Sequence, residues 1–75
     1  MSQEKKTWFY HSQMIANIMS ARMKELGMTQ KMLAEKMNCT QQYISKILKG
    51  RENLSLEAIS KIENALDIHF LQMNE

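Results

Sequence analysis

Between Thr29 and Gly50 the chain shows two short blocks of helical periodicity separated by Asn38, Cys39 and Thr40. In the first block Leu33, Ala34 and Met37 share one side. In the second, Gln41 is set at zero with about 100° per residue. Gln41, Gln42, Ser45, Lys46 and Lys49 then fall between about 0° and 140°. Ile44, Ile47 and Leu48 fall between about 240° and 340°, with Tyr43 at the edge near about 200°. One face is a core stripe, and the other carries amides, a hydroxyl and two lysines.

The same period recurs on either side. Ile15, Ile18/Met19, Met23 and Leu26 predict a preceding helix, and Leu56, Ile59, Ile62 and Leu66 a following one. Thr29, Thr40 and Ser55 stand where N-caps belong, and Glu57 suits the positive end of the last helix. Gly27 and Gly50 stand where helices close. The expectation is an all-α, compact domain of four to five helices at about 12–26, 30–37, 41–49 and 56–66. The domain spans 12–68, after an N-terminal extension 1–11 whose first residues fray and before a tail 69–75.

This pattern resembles the Cro/lambda-repressor-like (XRE) helix-turn-helix family. The likeness rests on Arg22, Leu26-Gly27-Met28-Thr29-Gln30, Leu33-Ala34, Thr40-Gln41-Gln42, Ile44-Ser45, Ile47, Gly50, Leu54-Ser55-Leu56 and Ile62 through Leu66, and it covers residues 14–68. Asn38 stands where that family has a turn glycine, a position asparagine can fill in the left-handed conformation. The segment after Leu66 departs from the family's fifth helix. The resemblance implies that the helix beginning at Gln41 enters the DNA major groove. Gln41 and Gln42, in its first turn, become base-contact candidates, followed by Ser45 and Lys46. Amides pair bidentately with adenine, and lysines reach guanine acceptors. Arg22, Gln30, Thr40, Tyr43, Lys49, Arg51 and Asn53 are the phosphate candidates, Gln30 through its amide and the positive end of its helix.

Charge sharpens this reading. The chain carries a net +2. Residues 14–51 hold seven basic and two acidic groups, whereas 52–75 hold Lys61 against five acids. The basic half coincides with the proposed reading helix, as phosphate contact requires.

Seventy-five residues make one domain. The single cysteine, Cys39, rules out an internal disulfide and has no metal-ligand neighbours, so it reads as a small apolar residue of the turn. The eight methionines read as gap fillers in the core. No cofactor or metal is expected, and no nucleophile–base pattern, paired carboxylates or glycine-rich phosphate loop suggests an enzyme. RNA recognition would want stacking aromatics, which the basic half lacks. With neither a membrane-length apolar run nor a signal-peptide core, a cytoplasmic location is expected.

Two stretches carry open alternatives. Trp8-Phe9-Tyr10-His11 either extends the first helix and folds its rings onto the domain's core or presents an aromatic patch to a partner or a second subunit. The tail, Asp67 through Met73, either forms a short fifth helix or, with Ile68 and Phe70 alternating about His69, a strand pairing across a two-fold axis. Either form leaves Ile68, Phe70 and Leu71 to be covered. A homodimer on palindromic half-sites about one DNA turn apart is therefore expected. The leading function is a sequence-specific repressor. The alternative is an antitoxin that binds a toxin protein and regulates its own operon, with the aromatic trio as the feature favouring it.

Overall fold

The computed structural model describes residues 2–70, with side chains from residue 7 onward. The described residues form four helices: α1 (Ser2–Leu26), α2 (Gln30–Met37), α3 (Gln41–Leu48) and α4 (Leu56–Leu66). Among the described residues there is no strand.

Caps set the helix starts. The hydroxyls of Thr29, Thr40 and Ser55 accept hydrogen bonds from the backbone N–H groups of Met32, Tyr43 and Ala58, each at 3.1 Å. Each cap satisfies an N–H that the helix itself leaves without a partner, a contribution of about 1 kcal/mol.

Three of the four helices also end alike. Gly27, Asn38 and Asp67 lie in the left-handed region at φ 63°, 57° and 56°. The N–H of the next residue then reaches back five positions: Met28 to Met23 O, Cys39 to Ala34 O, Ile68 to Glu63 O. This is the Schellman closure, which brings the residue after the left-handed one back over the helix it terminates. Met28, Cys39 and Ile68 accordingly pack, partly buried, against the core.

That closure corrects the reading of the tail. Asp67 ends α4 in the left-handed conformation, and Ile68 is the returning apolar residue of the cap, not the start of a strand. Residues 68–70 form neither helix nor strand. Ile68 and Phe70, expected to await cover from a second subunit, are instead partly buried on their own chain's core. Leu71 lies outside the described residues.

The core gathers Ile15, Met19 and Met23 from α1, Leu33, Ala34 and Met37 from α2, Ile44 and Ile47 from α3, and Ile62, Ala65 and Leu66 from α4. Met19, Leu33, Ile44, Ile47, Ile62 and Leu66 are fully buried. Each such large side chain contributes about 1.5–3 kcal/mol by leaving water.

α1 begins at Ser2, ten residues before the start that the apolar spacing predicts. Trp8 and Phe9 are half-buried and meet edge to face at 6.2 Å, outside the central cluster, while Tyr10 remains 65% exposed. The trio thus divides, two rings half-covered and one in solvent.

Candidate nucleic-acid interface

α3 separates its two faces as the wheel requires. Ile44 and Ile47 are buried, Leu48 and Tyr43 are half-buried, and Gln41, Gln42 and Lys46 are exposed with Ser45 half-exposed between them. The exposed group forms one surface because its members lie within one side of a regular helix. It offers two amides, a hydroxyl and an ammonium, a set able to meet base edges and phosphates.

The first turns of α2 and α3 contain no acidic residue, whereas that of α4 contains Glu57. The positive ends of α2 and α3 are therefore uncompensated by a carboxylate of their own, and an anion there gains from the helix dipole. Gln30 opens α2, half-buried, and Thr40 caps α3 with its hydroxyl already accepting from Tyr43 N–H. Lys31, exposed in the first turn of α2, adds a cation beside Gln30 that the sequence reading did not include among the site residues. Its place one residue after Gln30 was the signal that could have found it.

After α3 the chain runs Lys49, Gly50, Arg51, Glu52, Asn53. Lys49, Arg51 and Asn53 are exposed. Gly50 is buried at φ 74°, and a Cβ there would stand 3.2 Å from Gln13 Cα and 3.6 Å from Ala16 Cβ. α1 therefore crosses directly over this turn, and only a residue without a side chain fits both the angle and the gap.

Tyr43 keeps its phenolic proton to higher pH than an ordinary tyrosine. Burial is the main cause, followed by the negative charge of Glu52 and that of the Cys39 thiolate. As a neutral phenol its hydroxyl can donate a hydrogen bond.

Arg22 also makes contacts within the chain. Its Nε donates to Leu66 O at 2.9 Å and its guanidinium meets Glu25 at 3.1 Å. Lys36 Nζ likewise donates to Ala65 O at 3.1 Å. Two cations thus bind the last carbonyls of α4, where the helix dipole is negative and no backbone donor of the helix remains. Of the seven basic groups in residues 14–51, these two are engaged at the end of α4, and Lys46, Lys49 and Arg51 carry the charge on and just after α3.

A family model described as helix-turn-helix matches residues 18–72 of the chain. Comparison with curated proteins and with solved structures gives no match.

Proposed function

The chain belongs to the Cro-type helix-turn-helix (XRE) family of DNA-binding regulators, and from that premise we propose that it is a transcriptional repressor acting by occupying an operator. The observation that carries this is the outward polar face of α3, Gln41, Gln42, Ser45 and Lys46, set opposite the buried Ile44 and Ile47. Gln41 and Gln42 read bases from the first turn of α3, with Ser45 and Lys46 one turn further along. Gln30, Thr40, Tyr43, Lys49, Arg51 and Asn53 bind the flanking phosphates and fix the register without reading sequence. Arg22, the remaining phosphate candidate, also donates to Leu66 O at the end of α4. A homodimer presents two copies of α3 to a palindrome, and the domain acts in the cytoplasm.

The test is selection from a random-core duplex pool with the purified protein across a series of salt concentrations. Enrichment of a palindrome whose affinity falls steeply with salt supports a dimeric repressor. Weak binding that is blind to sequence contradicts it.

A second reading is favoured by Tyr10. This ring is 65% exposed at one end of α1 beside half-buried Trp8 and Phe9, in a segment that precedes the matched residues 18–72. An antitoxin would use such a patch to hold a toxin protein while α3 binds the operon's own DNA. Loss of solvent exchange at residues 8–11 on adding the product of a neighbouring small gene supports this reading, and unchanged exchange excludes it at this surface.

A further inference from the structure

We propose that Ser12 is a positioning residue for DNA binding, holding the α3–α4 connection in the register that turns Arg51 and Asn53 outward toward phosphates. The inference rests on the DNA-binding reading above.

The connection from Gly50 to Leu54 alternates sides. Gly50 is buried against α1, Glu52 is half-buried, and Leu54 packs partly buried against the core. Arg51 and Asn53, between them, are exposed. Inward and outward residues alternate along this connection, so fixing its inward residues fixes which residues point out. Gly50 and Leu54 anchor the two ends by packing. The middle is anchored by a hydrogen bond: the Ser12 hydroxyl donates to Glu52 O, across forty residues of sequence.

Two features mark this bond as more than incidental. Among the described residues Ser12 is the one buried polar side chain, only 4% exposed on a face of α1 otherwise lined by Ile15, Ala16, Met19 and Met23. Its bond is also the one hydrogen bond found for the backbone of residues 51–54 among the described residues. A hydroxyl placed in an apolar stripe needs a partner there, and this one finds it in the peptide between Arg51 and Asn53. Without it the segment keeps its ends but loses its midpoint, and Arg51 and Asn53 are no longer held outward.

The experiment has two arms, both on the full chain. Backbone 15N order parameters of residues 51–54 are measured in wild type, Ser12→Ala and Ser12→Thr, beside the melting temperature of each. Binding to random-sequence duplex DNA is measured against salt for those proteins, for Arg51→Ala and for Ser12→Ala/Arg51→Ala. The expected result is lower 15N order parameters at 51–54 in Ser12→Ala while core helices keep theirs. Its salt slope is shallower by about one phosphate equivalent, and Ser12→Thr restores both. In the Arg51→Ala background, Ser12→Ala changes the slope little, because the group it positions is gone. Unchanged order parameters at 51–54, an unchanged slope in Ser12→Ala, or the same loss of binding with and without Arg51 overturns the proposal. If wild type itself shows no salt-dependent binding, the DNA reading falls and takes this role with it. If wild type binds and only the Ser12 predictions fail, the role alone falls.

Discussion

Gly50 and Gly27 share a left-handed backbone but differ in surroundings, and the difference is measurable. A Cβ at Gly27 would meet nothing within 4 Å, so Gly27→Ala bears only the conformational cost, about 1–2 kcal/mol. At Gly50 the same cost is joined by the 3.2 Å approach to Gln13 Cα, backbone that cannot move without shifting α1. Gly50→Ala is expected to lower stability clearly more than Gly27→Ala in denaturant titrations, and equal losses would show that α1 does not press on this turn. Tyr43 supplies a pH dependence. Its folded pKa lies above the unfolded value near 10. Its contribution to stability is complete below about pH 10 and is lost as pH rises through the folded value. Melting temperature should therefore fall in that alkaline window and fall less in Tyr43→Phe. At this scale the three N-caps were legible in the sequence, because a cap and the amide it binds are three residues apart. The Arg22 contact with Leu66 O was not, because the two are forty-four residues apart.

Helix ends carried the signal that sequence patterning transmitted unevenly. Gly27 and Asn38 announce left-handed closures by residue type, and their following Met28 and Cys39 return to the core. Asp67 makes the same closure with a residue that seldom advertises it, so the alternation of Ile68 and Phe70 looked like a strand. Asp67 also places a carboxylate at the negative end of the α4 dipole. Asp67→Gly, which relieves the backbone and removes the charge, is expected to raise stability by about 0.3–1 kcal/mol. Arg22→Ala is expected to lower it by about 1–2 kcal/mol by leaving the Leu66 carbonyl without its charged donor. Thermal melts of the two variants moving in the same direction would contradict this picture of the α4 end. The start of α1 was missed for a related reason: apolar periodicity begins only where the helix meets the core, and its polar first turns carry none.

Across the whole molecule, what sequence conveyed best was the segregation of apolar and polar positions, which places α2, α3 and α4 and leaves the α3 surface outward. What it conveyed less well was how charge is spent. Net charge counts Arg22 and Lys36 with the reading surface, while the fold uses both to close α4. Arg22→Ala should change DNA affinity only as far as it changes stability, whereas Lys49→Ala should weaken binding to every sequence and flatten its salt dependence by about one phosphate.

The decisive comparison is the base preference at each position of the selected duplex for wild type, Gln41→Ala, Gln42→Ala and Lys49→Ala. If α3 reads bases from its first turn, each glutamine variant loses about 1–3 kcal/mol of discrimination at particular base pairs, while Lys49→Ala keeps the wild-type profile at uniformly lower affinity. If the glutamine variants keep the wild-type profile, or all three variants lose affinity evenly, Gln41 and Gln42 do not read sequence and the assignment of α3 as the reading helix fails.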